Sequence, residues 1–440
     1  MTFRTAIPIL LAACLIYSAT FHSTTFNNSS AVMSTLNAST QESSSAGLPT
    51  ASPNAVGMSE TELARIRPAM QSYIDDGRLA GIMTMVARKG QVVHWDAVGV
   101  KDTAAKTPLQ PDDIFRIFSM TKPITSTAVM MLVEEGKIRL NDPVETFIPE
   151  FSDVSVWTED GERVPADKSI TIEHLLTHTS GLTYGFFADS PVDRIYNESG
   201  VMSGTGDLEH FAVRVAELPL IANPGARWNY SVSTDILGRV VEVASGQRFD
   251  QFLQERIFAP LAMTDTAFYV SKDKRKRFTA NHAHMNNTLA VTDSPDTGQY
   301  TQPPVWLSGG GGLTSTASDY IRFAQMLLQE GHLNDSRILT EDTVRNMRTN
   351  HLPDDMVPIQ LGTYLSPAYG FGLGFSVVVD EDASPEPDNN GVFRWAGAAN
   401  TFFWIDPQEE LIGMVWMQMT PFAAYNIERE FQTLVYNAIQ

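Results

Sequence analysis

Apolar positions along the chain change period several times, and each change marks an element. Ser59-Glu60-Thr61-Glu62 forms a capping box, and Leu63, Ile66 and Met70 follow at helical spacing, which predicts a helix from about residue 60 that Pro68 bends. From Gly81 the run GIMTMVARKGQVVHWDAVG holds two strand-like stretches around Lys89-Gly90 and predicts a β-hairpin. A second β-rich region runs from Gly372 to Gln418, where GFSVVVD, VFRWAG, TFFWID and LIGMVWMQ are separated by turn formers such as Asn389-Asn390-Gly391 and Asp406-Pro407. Between the two, TSTAVMMLVEEGKI, IEHLLTHTSGL, TDILGRVVEVASG and DYIRFAQMLLQEG read as helices, two of them ending in a glycine suited to a left-handed cap. A closing helix carries Ile427, Phe431, Leu434, Val435 and Ala438 on one face.

This order predicts an α+β fold: an antiparallel sheet built from both ends of the chain, flanked by helices, with a mainly helical domain inserted. The sheet part spans about 56–115 and 300–440, and the helical part about 116–299. A catalytic cleft is expected where the two meet.

Composition narrows the function. A formal charge of −20 opposes approach to phosphate backbones, so nucleic acid is excluded as a partner. The one dense basic run, Lys272 to Arg277, is interrupted by Asp273 and reads as a solvated loop. Arg4 and the apolar stretch from Ala6 to Tyr17 have the proportions of a signal-peptide core, which predicts export to the periplasm or medium, with residues 1–21 as signal peptide or membrane anchor. Leu11-Ala12-Ala13-Cys14 resembles a bacterial lipobox, although the apolar run continues past Cys14, so a secretory signal, an uncleaved anchor and a lipid anchor are the three fates considered. Cys14 is the sole cysteine, which leaves the folded body without a disulfide or thiol nucleophile. Residues 22–55, rich in Ser, Thr, Asn and Ala, read as a flexible tether to a body at 56–440.

The candidate chemistry lies in IFSMTKPIT, residues 117 to 125, where Ser119 stands three places ahead of Lys122 at the start of an apolar helix. Helical geometry puts both on one face, and Pro123 is tolerated because first-turn N–H groups have no intrahelical partners. A helix cap beside a surface lysine would give the same tetrapeptide. The chain holds a second such spacing, Ser271 and Lys274, inside the basic loop with no apolar helix behind it.

Other segments decide in favour of Ser119. FRIFSMTKPITSTAVMMLVEEGKIRLNDPV, IEHLLTHTSGL, WNYSVSTDILGRVVE, LSGGGGLTSTASDYIRFAQMLL and WAGAANTFFWIDPQ occur in the order and rough spacing of the serine β-lactamase and penicillin-binding superfamily. Over residues 56 to 440 the chain most resembles the family eight carboxylesterases, relatives of class C β-lactamases. The resemblance implies Ser119 as nucleophile, Lys122 as its activating partner and Tyr230 as the third member of a proton relay. It also puts Trp395 and Gly397 on the strand lining the cleft, and makes the N–H groups of Ser119 and Ala398 the oxyanion donors. No cofactor or metal is implied. Val232 and Trp395 replace an asparagine and a lysine of class C enzymes, removing contacts that a β-lactam would use.

The expected function is therefore a carboxylesterase acting on small-molecule esters, with short acyl chains, through an acyl-enzyme on Ser119. A β-lactamase or D-alanyl-D-alanine peptidase is the enzymatic alternative, and a penicillin sensor that never turns over is the alternative of another class. Tyr184, Phe186 and Phe187, with Trp228, read equally as pocket lining or plain core. His174 and His178 have the spacing of H-E-x-x-H but lack its glutamate and are expected to be structural. His282 and His284 are expected at the surface, and Gly309 to Gly312 as a tight turn. No G-x-S-x-G occurs, which excludes the usual α/β-hydrolase elbow.

Overall fold

The computed structural model describes residues 46–186, 190–286, 288–361, 364–365 and 367–440, all within one compact unit. The leader, Cys14, the tether up to residue 45 and Phe187 lie outside the described residues. Residues 46–55 differ from the tether expected there. Ala46 and Leu48 are buried, the Ala51 N–H donates to Val92 O, and Arg322 donates to Gly47 O. Pairing with residues far along the chain holds this stretch, and local composition does not record such pairing.

Ser59 caps α1 (Glu60–Leu63), its hydroxyl accepting from the Glu62 N–H at 3.3 Å. The chain then turns before α2 (Ile66–Asp75), so the helix is broken ahead of Pro68 instead of bent at it. Pro68 falls in the first turn of α2, where its missing N–H costs nothing. The hairpin forms as expected from β1 (Gly81–Arg88) and β2 (Gln91–Asp102). Lys89 and Gly90 both take left-handed φ, 51° and 75°, the conformation of a two-residue hairpin turn that follows strand twist. After β3 (Thr107–Pro108) and β4 (Phe115–Arg116) comes α3 (Thr121–Glu134). The helical part contains α4 (Ile172–Leu176) and α5 (Ser233–Ser245), and β5 (Thr314–Ser315) returns to pair with β4 ahead of α6 (Ala317–Leu328). Strands β6 (Tyr369–Phe371), β7 (Ser376–Val378), β8 (Phe393–Gly397), β9 (Thr401–Asp406) and β10 (Leu411–Trp416) precede the closing helix α7 (Ile427–Asn437).

The main sheet has eight strands in the order β6-β7-β8-β9-β10-β1-β2-β3, with antiparallel neighbours, so the first hairpin docks on the last long strand. Side-chain alternation explains how both faces are covered. Phe403 meets Tyr320 of α6, ring centres 5.2 Å apart, while its neighbour Trp404 meets Phe431 of α7 at 5.5 Å. Strands such as β1, buried at every residue, consequently show no polar and apolar alternation. Helix α3 is likewise buried from Thr121 through Leu132, the pattern of a central helix packed on all sides. Its N-terminus brings Ser119 and Lys122 to the end of β8.

Candidate active site

The backbone presents Ser119 through a strained step. Phe118 has φ of 42°, left-handed for a bulky residue, and the chain enters α3 directly after the short turn Phe118–Met120. Bonds across the core hold this step: the Ile117 N–H donates to Leu313 O at 3.1 Å, and Thr121 Oγ1 accepts from the Leu313 N–H at 3.1 Å.

Ser119 Oγ accepts a hydrogen bond from the Tyr230 phenol at 2.6 Å, and the Lys122 amine lies 3.4 Å away. Nζ of Lys122 is also 4.5 Å from the centre of the Tyr230 ring. The three side chains expected to converge are thus in contact. Tyr230 comes from the segment before α5, held because the Asn229 N–H donates to His178 O at 2.8 Å and the Asn229 side chain donates to Leu182 O at 2.8 Å. The second pair does not form such a site: Lys274 turns to Thr264 O and Asp265.

Lys122 is fully buried. Its amine donates to Gly310 O at 2.7 Å and to the Tyr184 hydroxyl at 2.8 Å. Burial depresses its pKa to about 7, with the negative charge of Asp235 acting in the opposite sense. Asp235, on α5, is fully buried and accepts from Ser308 Oγ at 2.5 Å, the Gly310 N–H at 2.9 Å and the Tyr184 hydroxyl at 3.4 Å. Desolvation raises its pKa, which the neighbouring Lys122 opposes. Burial also raises both phenols, Tyr184 and Tyr230, so each remains a proton donor at neutral pH.

The four glycines are more than a tight turn. None of them has a left-handed φ; what Gly309, Gly310 and Gly312 permit is close approach, and a Cβ on Gly310 would sit 2.5 Å from both Asp235 Oδ2 and Tyr184 Oη. At the opposite wall, a Cβ on Gly397 would lie 2.3 Å from Ile117 O, so only glycine lets β8 end against the backbone that leads to Ser119. The Ala398 N–H, one residue beyond β8, has no hydrogen-bond partner among the described residues. The Trp395 ring lies 5.4 Å from that of Tyr230.

Ser119, Tyr230, Trp395, Gly397 and Ala398 open into one cavity of about 1610 Å³. Tyr184 and Phe186 line it, stacked at 4.9 Å, with Phe186 exposed at the rim. Trp228 lies behind Tyr230 instead, nearly parallel to it at 6.4 Å. His174 caps α4, its Nδ1 accepting from the Thr171 N–H. His178 is buried 4.9 Å from the Tyr230 ring, and its Nδ1 accepts from the Ser231 N–H at 3.2 Å. Burial, with Lys122 nearby, holds His178 well below the usual range and hence neutral. His282 corrects the surface expectation: it is buried, its Nε2 accepting from the Thr103 N–H at 3.3 Å, whereas His284 is exposed. Sequence reasoning missed Asp235, took Gly310 only as part of a tight turn and left Tyr184 between pocket lining and plain core. A lone acid within the apolar run STDILGRVV was the available signal.

The Beta-lactamase family profile matches residues 65–437. Protein Rv1367c of Mycobacterium tuberculosis is 37% identical over 361 residues, covering 80% of this chain and 89% of that protein. Esterase EstB of Burkholderia gladioli is 30% identical over 372 residues, covering 80% of this chain and 90% of its own. Among solved structures, EstCE1, described as a hydrolase with promiscuous acyltransferase activity, superposes with a TM-score of 0.74 at 26% identity, covering 86% of this chain and 99% of that one.

Proposed function

Because the chain belongs to the Beta-lactamase family, a family of serine hydrolases, we propose that it is a carboxylesterase with Ser119 as nucleophile and Lys122 as its base. The observation that carries this reading is the environment of the amine. A neutral amine has two N–H groups and one lone pair. Gly310 O and the Tyr184 hydroxyl take the two N–H groups, which leaves the lone pair for the Ser119 O–H. A pKa near 7 makes that neutral form abundant at neutral pH, while Tyr230 keeps its proton.

In this reading the Ser119 proton passes to Lys122 as Oγ attacks the ester carbonyl. The Ser119 and Ala398 N–H groups receive the developing oxyanion, each contributing about 3 kcal/mol in comparable sites. As the carbon–oxygen bond of the ester breaks, Tyr230 delivers its proton to the leaving alkoxide and recovers one from the Lys122 ammonium. Water attacks the acyl-enzyme by the reverse path, releasing the acid and restoring the serine hydroxyl.

The apolar Trp395 in the cavity supports an uncharged ester over a β-lactam carboxylate. A cavity larger than the ~300–1,000 Å³ of ordinary ligand sites supports a bulky ester as substrate. It also leaves room for an alcohol in place of water as acceptor, the reaction class named for EstCE1.

The test is turnover of a nitrophenyl butyrate ester beside a chromogenic cephalosporin. Wild type is expected to cleave the ester continuously and Ser119→Ala to lose at least about 1,000-fold in kcat. Cephalosporin turnover without ester cleavage overturns the esterase reading, and a single stoichiometric burst identifies a sensor instead.

A further inference from the structure

Asp235 takes no part in the bond changes just described, yet it touches both groups that occupy the Lys122 N–H donors. Its Oδ1 accepts the Gly310 N–H, on the glycine whose carbonyl receives one Lys122 N–H. Its Oδ2 receives the Tyr184 hydroxyl, whose oxygen accepts the other. The Tyr184 proton therefore points away from the amine because a carboxylate lies on its far side. We propose that Asp235 is a positioning residue that fixes the polarity of the Lys122–Tyr184 contact, keeping the amine lone pair free for Ser119. This rests on the reading of Ser119 as nucleophile and Lys122 as base.

The geometry makes the Asp235→Asn variant informative. An asparagine Oδ1 can still accept from Ser308 and Gly310, but an N–H₂ replaces Oδ2 and can only donate to Tyr184. With its former acceptor gone, the Tyr184 O–H turns to the remaining acceptor within reach, the lone pair of Lys122. The base is then occupied by a phenol instead of by the serine. Removing the carboxylate charge also lowers the proton affinity of the amine, which is faced by Ser119 and Tyr230 on the cleft side, by Tyr184 and Gly310 behind, and by neutral His178.

The experiment measures kcat, KM and their pH dependence on nitrophenyl butyrate for the whole protein as wild type, Asp235→Asn, Tyr184→Phe and the double variant, with Ser119→Ala as reference. Asp235→Asn is expected to lose about 100-fold in kcat with KM within about threefold, and to move the acid limb to lower pH. Adding Tyr184→Phe removes the phenol that captured the amine, so the double variant should exceed Asp235→Asn in kcat by at least about tenfold. Structural damage alone would add between the two substitutions and leave the acid limb in place, which overturns the proposal. Should Asp235→Asn fail to fold, Asp235→Ser and Asp235→Ser/Tyr184→Phe take its place: the second substitution is again expected to restore kcat by at least about tenfold, and no recovery overturns the proposal. If Ser119→Ala is inactive while Asp235→Asn matches wild type, only the role of Asp235 falls; if Ser119→Ala retains activity, the reading of the whole site falls with it.

Discussion

Lys122 is an amine held where water does not reach, and two measurable consequences follow from that. The first is kinetic. If the neutral amine is the base, kcat/KM should rise with pH through about 7, the folded pKa, and level off above it. The second is thermodynamic, with a definite sign. In the unfolded chain the amine titrates at 10.5, so between about pH 7 and 10.5 the unfolded state binds more protons and stability rises with pH. Below pH 7 both states are protonated and the whole cost of burying the cation applies, on the order of 1.4 kcal/mol for each pKa unit of depression. Lys122→Met, similar in length and without charge, is expected to abolish turnover and to lose this pH dependence, so that wild type gains stability relative to it between about pH 7 and 10.5 in chemical denaturation. A constant difference between the two over that range would contradict the burial cost. The contacts of Ser119, Lys122 and Tyr230 were legible in the sequence because each lies in a recognisable segment. The contacts of Asp235, Tyr184 and Gly310 with that amine and with one another were not, since residues 184, 235 and 310 meet only through the tertiary fold.

Among the elements, β8 and the turn before α3 fit together through the missing side chain of Gly397. A Cβ there would also lie 2.3 Å from Thr401 Oγ1, so the strand end is confined on two sides. Gly397→Ala is expected to destabilise the protein by about 1–3 kcal/mol and to lower kcat, because relieving the overlap moves Ala398 relative to Ser119. Chemical denaturation beside an ester assay checks both. The hairpin, the run of strands from β7 to β10, the closing helix and α3, α5 and α6 were readable because they are long or carry strong turn residues. IEHLLTHTSGL was not, since only Ile172–Leu176 forms α-helix in that segment. The chain leaves helical geometry at His178, with φ of 56°, so that its carbonyl receives the Asn229 N–H and fixes the approach to Tyr230. That bond joins residues 51 positions apart, and no local periodicity announces it.

At the scale of the whole molecule, the antiparallel sheet assembled from both chain ends followed from the order of β-rich and helical regions. Residues 46–55 read as tether from composition because small residues in an unpaired strand look the same as small residues paired with Val92. Net charge acts at this scale as well. A chain carrying −20 repels anionic substrates, so a monosuccinate ester should show a higher KM than the neutral butyrate ester of the same alcohol. That difference should narrow as salt is raised, since screening shortens the reach of the field. An equal KM for the two esters at low salt would remove charge from the account of specificity.

The most direct test of the central claim is to acid-quench the protein during turnover of a butyrate ester and locate the acyl group by peptide mass spectrometry. One butyryl group is expected on the peptide containing Ser119, accumulating in wild type and absent from Ser119→Ala. Continuing turnover with the acyl group on another side chain, or with Ser119→Ala as active as wild type, would contradict it.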